Sequence, residues 1–367
     1  MTCSPSTHFS FYIYYLIWFF FVGFASFAFS ESQDKQLNSL DLESRIEVVF
    51  KKYQTSVVRV KATREVISGN KSKRLLKMGS GFFISKDGHI LTTGLLLQPD
   101  RIWVEYNNAF YLADKIGSDP LCNLSLLKIT SKPNDFTFVS LNDSFHGNKQ
   151  GTFMVALTCA LEFQVGPTYG LFQSEEFSFG KKLFPTKMIR GSLDLGPGEV
   201  GAPVFDLNGR FLGICHAALP DLRSSFVLPA KACQRIRDDL LFSGAVNYGW
   251  FGITTSKKLN KVNGFDIIIE GIFKGSPASR SNLMVGDIIT QIDEHPVTNQ
   301  GDLANTAFFA RPDNLLDFLV RRDNKELKIS LKVEKRPVHT RTDDQIVPNL
   351  SVTDINSTLL INQSGNQ

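Results

Sequence analysis

Acyl transfer needs a hydroxyl or thiol held beside a base, so the histidines and cysteines come first. Beyond residue 30 the chain carries His89, His146, His216, His295 and His339, and Cys122, Cys159, Cys215 and Cys233. His89 opens an apolar strand-like run, and His146 sits in the polar stretch Asn142 to Gln150. Cys122 adjoins Asn123, and His216 follows Cys215. No set of these residues has metal-ligand spacing, and no glycine loop has phosphate-binding form. No cofactor and no metal are therefore expected. The chemistry-bearing strings are three: Gly79-Ser80-Gly81-Phe82-Phe83 through Thr92, Asp119-Pro120-Leu121-Cys122-Asn123-Leu124, and Gly198-Glu199-Val200-Gly201-Ala202-Pro203.

The elements that must hold these strings are short strands. Gly81 to Ser85, Ile102 to Tyr106, Leu124 to Ile129, Phe153 to Thr158, Pro203 to Phe205 and Phe211 to Cys215 are apolar runs broken by Gly, Pro, Asn and Asp. Repeated short strands of this kind predict all-β barrels or a sandwich. Asn208-Gly209 predicts a tight hairpin of type I′. Leu42, Ile46, Val49 and Phe50 share one helical face within Leu40 to Tyr53, and Cys233, Ile236 and Leu240 do so within Lys231 to Phe242. From Tyr248 the pattern changes to a smaller α+β module. Ile267-Ile268-Ile269 reads as a buried strand, and Gly275-Ser276-Pro277-Ala278 as a helix start with Ser276 as cap. Asn282 is the expected left-handed terminus of that helix. Asp302 to Ala310 reads as a helix, and Leu316 to Val320 with Leu327 to Val333 as closing strands.

The three strings and the C-terminal module together resemble the HtrA/Deg family of trypsin-fold serine proteases, from about Leu42 to Lys335. The resemblance implies a trypsin-like double β-barrel followed by an α+β PDZ domain, a mainly β fold. Active family members follow the first string with Asn-x-His-Val, and that His is their general base; here the segment is Thr93-Gly94-Leu95-Leu96, so Leu95 holds the position. The Asp that orients the base corresponds to Asn123. Registering the third string on Asn208-Gly209 puts the nucleophile position at Val200. A serine is inert without a base to take its proton, so the expectation is a degenerate protease that is not an enzyme. Glu199 would also oppose negative charge developing beside it. His89 cannot replace the base, because six strand residues span roughly 20 Å. His216 is not expected to face the cleft.

In the PDZ-like module, Tyr248-Gly249-Trp250-Phe251-Gly252-Ile253 matches the loop whose N–H groups hold a partner's C-terminal carboxylate in such domains. The resemblance implies Trp250, Phe251, Gly252 and Ile253 on one side of a peptide groove, and Leu303, Ala307 and Phe308 on the other. The expected function is that of an exported pseudoprotease binding protein C-termini or unfolded polypeptides, as chaperone, scaffold or regulator of an active relative. Two alternatives stand beside it: an active HtrA-like endopeptidase in protein quality control using shifted catalytic residues, and a structural subunit with a silent PDZ groove. The family resemblance also implies a homo-trimer, or a hetero-oligomer with an active relative.

Phe9 to Phe24 is apolar and uncharged, and small residues alternate with Phe up to Ser30. That composition reads as a signal peptide over residues 1–30, with an uncleaved anchor as the alternative, and the location as periplasmic or secreted. The remaining divisions are a linker at 31–41, the protease-fold domain at 42–246, the PDZ domain at 247–336 and a disordered tail at 337–367. The four cysteines are equally compatible with disulfides and with buried thiols. A net charge of +4 over 367 residues, 43% hydrophobic and 21% charged, excludes nucleic acid as a partner and describes an ordinary globular chain.

Overall fold

The protein is described by a computed structural model over residues 41–68, 71–93, 99–142, 149–180, 182–260 and 264–337. The expected signal peptide and the tail beyond residue 337 lie outside these residues. Among the described residues no helix is long and apolar enough to cross a membrane.

The chain opens with helix α1, residues 41–53. Six strands follow: β1 (Val57–Ser68), β2 (Lys71–Phe83), β3 (His89–Thr93), β4 (Arg101–Tyr106), β5 (Ala109–Asp119) and β6 (Leu124–Ile129). They close into a barrel in the order β1-β2-β3-β6-β5-β4. A second barrel is built from β7 (Phe153–Thr158), β8 (Gly166–Phe179), β9 (Lys182–Gly191), β10 (Pro203–Phe205), β11 (Phe211–Leu219) and β12 (Ser224–Pro229), in the order β10-β11-β12-β9-β8-β7. Closure removes the free edges that short antiparallel strands would otherwise expose.

One apolar cluster spans both barrels. It joins Phe82, Leu91, Leu124 and Leu126 of the first to Val155, Leu157, Phe205, Ile214 and Phe226 of the second. The cleft-forming loops therefore rest on a shared floor, and the barrels cannot slide without opening it. Helix α1 presses its predicted apolar face on this cluster. Tyr53 stacks on Phe205 at 4.3 Å and gives its hydroxyl to the Gly209 carbonyl at 3.0 Å. Helix α2 (Ala230–Ser243) buries Cys233, Ile236 and Leu240 as its spacing predicts, and ends on Gly244 in the left-handed region.

The hairpin at Asn208-Gly209 differs from the type I′ expectation. Gly209 has φ +73, but Asn208 is not among the positive-φ residues. The buried Asp206 carboxylate accepts from the N–H groups of Asn208 and Arg210, and that Asx contact selects the other turn.

The second module carries β13 (Gly249–Trp250), β14 (Ile253–Asn260), β15 (Gly264–Ile272), β16 (Ile288–Ile292), β17 (His295–Pro296), helix α3 (Gln300–Phe309), β18 (Leu315–Arg322), β19 (Lys325–Lys332) and β20 (Glu334–Lys335). Its sheet runs β14-β15-β16-β18-β19, with β17 on β16 and a separate β13-β20 pair. Strand β14 is thus an end strand. Helix α3 starts two residues before the predicted Asp302, because Asn299 and Asp302 form a reciprocal capping box. The expected helix after Ser276 is a single 3-10 turn, Ala278–Arg280, with Pro277 at its N-cap; Ser276 Oγ still accepts from Ser279 N–H at 3.2 Å. Asn282 does not adopt the left-handed conformation; its carbonyl instead accepts from the Arg322 guanidinium at 2.7 Å.

The two modules meet closely. Helix α3 lies on β8 and β9. Thr186 donates to the Asn305 side chain at 2.6 Å, and the Lys187 ammonium stands 3.7 Å from the Asp302 carboxylate. Arg311 reaches Asp239 of α2 at 3.1 Å.

Candidate active-site cleft and peptide groove

The loop from Gly196 to Gly201 is tied to both barrels. Ser80 N–H donates to the Val200 carbonyl at 3.0 Å, and Ser80 Oγ donates to the Gly198 carbonyl at 2.9 Å. Gly201 N–H donates to Cys215 at 2.7 Å. Gly201 has φ +93, and a Cβ there would stand 2.0 Å from the Ser80 carbonyl oxygen. Only glycine fits, since both the backbone angle and the close approach exclude a side chain. The Glu199 carboxylate does not point out of the loop. It accepts from Thr158 Oγ1 at 2.7 Å and from Gly196 N–H, so its charge serves to hold the loop shape.

Beside this loop lies a cavity of about 380 Å³. Val200 and Asn123 both line it, so the structure brings together two of the three positions singled out in the sequence. Asn123 is exposed and left-handed, with φ +51. Leu95 lies outside the described residues. Cys122 and His216 line the same cavity.

The placement of His216 corrects the expectation that it would not face the cleft. Pairing of β11 with β12 runs Cys215↔Val227 and then Ala217↔Phe226, which leaves His216 as the extra residue of a β-bulge. A bulge re-aims the side chain it carries. Its Nδ1 is buried and has no hydrogen-bond partner. Burial, with Lys182 nearby adding to it, lowers its pKa to about 4, so the ring is neutral at pH 7.

Cys122 is poorly placed to be a nucleophile. Burial first, and then the neighbouring Asp119 carboxylate, push its thiol well above the usual range. Asp119 is itself buried and raised by desolvation, against hydrogen bonds from the Tyr248 hydroxyl and from the N–H groups of Leu121 and Cys122. Among the described residues a serine–histidine contact occurs elsewhere: Ser85 Oγ is 2.8 Å from His89 Nδ1. That serine also accepts from Asp87 and His89 N–H groups and so caps the β2–β3 turn, outside the cavity. Cys122, Cys159, Cys215 and Cys233 are all buried free thiols, which decides between the two readings of the cysteines at these positions. Among the described residues no group of His, Cys, Asp and Glu is arranged to hold a metal.

In the second module the sequence-named residues divide by face. Gly252 has φ +78 and sits against Ser276, where a Cβ would stand 2.0 Å from the Ser276 Cβ. Ile253 begins end strand β14, and Trp250 packs on Phe273 at 6.0 Å. Leu303 and Ala307 lie partly buried against the module's core. Phe251 is taken into that core, edge-on to Phe318 at 5.3 Å. Phe308 departs furthest from the expectation. It joins the barrel core and packs on Tyr248 at 5.1 Å, because the opposite face of α3 docks on the protease-like module. A residue missed in the sequence is Gln300, whose side-chain amide donates to the Thr255 carbonyl of β14 at 2.6 Å.

Comparison with known proteins agrees with this architecture. Residues 79–214 match the trypsin-like peptidase domain family and residues 249–333 the PDZ domain family. A probable periplasmic serine endoprotease, DegP-like, from a Marinomonas strain is 30% identical over 275 residues, covering 71% of this chain and 57% of the relative. Its counterpart from Pseudomonas fulva is 27% identical over 282 residues, covering 73% and 58%. The chain therefore spans under three fifths of the length of these relatives. Among solved structures, the HtrA-type protease AlgW with a decapeptide superposes with a TM-score of 0.65 at 21% identity, covering 80% of this chain and 99% of AlgW. A serine endoprotease from Yersinia pestis gives 0.58 at 20% identity, covering 80% and 98%. The expectation of a chain that is not an enzyme is overturned here: the curated relatives are named as serine endoproteases, which points to a peptidase. A trypsin-like peptidase domain followed by a PDZ domain places this chain with the HtrA/DegP family.

Proposed function

We propose that this chain is an HtrA-like serine endopeptidase of periplasmic protein quality control, using catalytic groups displaced from the usual family positions. The observation that carries the reading is the joint similarity, over both modules, to relatives named as periplasmic serine endoproteases. The cavity beside the pinned loop supports it, because a polypeptide cleaved on this fold must seat a side chain next to that loop. Leu95, Asn123 and Val200 supply neither base nor nucleophile, and none of the described cavity-lining residues is Ser or Thr, so this reading requires an attacking hydroxyl from outside that lining. His216, a neutral imidazole whose buried Nδ1 has no hydrogen-bond partner, lines the cavity.

The PDZ module takes the C-terminal segment of an unfolded polypeptide as an added strand on β14, with its carboxylate at the Trp250-Phe251-Gly252 loop. One of the similar solved structures is an HtrA-type protease with a decapeptide, which supports peptide as the class of partner.

Labelling with a fluorophosphonate, followed by mass-spectrometric location of the adduct and a casein digestion assay, tests this. The expected result is a single labelled residue near the cavity and digestion that the label abolishes. Absence of both digestion and labelling overturns the endopeptidase reading.

A further inference from the structure

We infer that the cavity beside the Gly196–Gly201 loop receives an acidic side chain of the bound polypeptide, a preference that rests on the endopeptidase reading for its role in cleavage. The walls are largely apolar, with Phe184, Met188, Leu195 and Phe226 among them. The charged groups set into those walls are both lysines, beside the neutral side chains of Asn123 and His216. Lys77 and Lys182 line the cavity together with His216, and none of its described lining residues is Asp or Glu. The carboxylates on adjoining segments are engaged elsewhere: Glu199 with Thr158 and Gly196, and Asp119 with Tyr248, Leu121 and Cys122.

A buried nitrogen without a partner costs free energy unless a ligand supplies one. His216 Nδ1 is such an atom. A bulge in β11 holds it there, and an unbroken strand would have paired that residue in register with β12. The site therefore combines cationic groups, an unsatisfied imidazole nitrogen and apolar walls. A Glu or Asp side chain matches it: the methylene stem meets the aromatic walls and the carboxylate meets His216 and the lysines. A purely aliphatic side chain would leave Nδ1 unpartnered, and a basic one would meet like charge.

The test uses blocked peptides, acetylated and amidated so that no terminal carboxylate can engage the PDZ groove. They are identical except for one central residue: Glu, Gln or Leu. Binding to the full chain is read by calorimetry and by the ring signals of labelled His216. The expected result is at least about fivefold tighter binding of the Glu peptide than of either other peptide, with the preference abolished in His216→Ala. If that variant fails to fold, Lys77→Met must reduce the preference. Equal binding of the three peptides overturns the proposal. So does sodium glutarate binding as tightly as the Glu peptide, since the ligand would then be a small dicarboxylate. Failure of casein digestion with the Glu preference intact sinks only the endopeptidase reading, and digestion without any Glu preference sinks only this one.

Discussion

Phe177 of β8 lies against Gly301 of α3 so closely that a Cβ at residue 301 would stand 1.9 Å from the ring's Cδ1. Helix α3 of the PDZ module is thus seated on the second barrel at a point where only a hydrogen fits. Gly301→Ala forces one element off the other. Overpacking of this sort costs about 1–3 kcal/mol. The expected outcome is a lower melting temperature for the module contact, with a larger radius of gyration in solution scattering. An unchanged scattering profile together with an unchanged melt would show that this contact does not hold the modules together.

Gln300 bridges α3 and β14, the two walls of the proposed peptide groove. Its amide donates to Thr255 O from the α3 side, so that carbonyl faces the helix and occupies the edge an added strand would use. An incoming peptide must displace the amide. A neutral hydrogen bond of this type contributes about 0.5–1.5 kcal/mol, so Gln300→Ala should tighten binding of a free-carboxylate C-terminal peptide roughly two- to tenfold. Fluorescence anisotropy reads this directly, and weaker binding by the variant would mean that Gln300 contacts the ligand instead of shielding the strand.

The reduced state of the cysteines gives another check. Cys122, Cys159, Cys215 and Cys233 are buried and unpaired, and burial raises the pKa of each. Thiols protonated and out of contact with solvent react slowly. Dithiothreitol should leave the melting temperature unchanged, and a thiol reagent should modify all four of these residues only after unfolding. A drop in melting temperature on reduction would reveal a disulfide.

Much of the fold was legible in the sequence because local pattern and tertiary role agree there. Val49 of α1, with Ile46 and Phe50 partly buried beside it, and the Cys233, Ile236 and Leu240 stripe of α2 pack where their spacing put them. The site was less legible, and the misses share a cause. His216 was placed by a bulge, which breaks the alternation that strand reading relies on. The resemblance implies Phe308 in the groove, but it does not say what the other face of α3 packs on, and that face docks on the barrel core. Gln300 fell outside the expected helix because the capping box begins at Asn299. Asn208 adopted another turn because a carboxylate two residues back competes for its N–H. In each case a contact distant in sequence, or a local irregularity, outranked the periodic signal.

Acid sensitivity should trace to His216. Its folded pKa is about 4, against 6.5 for the free side chain, chiefly through burial. A base depressed in this way binds fewer protons folded than unfolded over that interval, so its contribution is fully present above pH 6.5 and is lost as pH falls toward 4. The shift corresponds to at most about 3 kcal/mol, less what solvent screening removes at a half-buried ring. Asp119 acts with the opposite sign. Its carboxyl is raised by burial, so its folded form gains relative to the unfolded chain as pH falls through that raised value. His216→Asn removes the first effect and leaves the second. Urea midpoints at pH 7 and pH 4.5 should therefore fall steeply for the native chain and little, or not at all, for the variant. Parallel losses in the two proteins would place the acid-sensitive group elsewhere and remove the case for a neutral, unpartnered imidazole in the cavity wall.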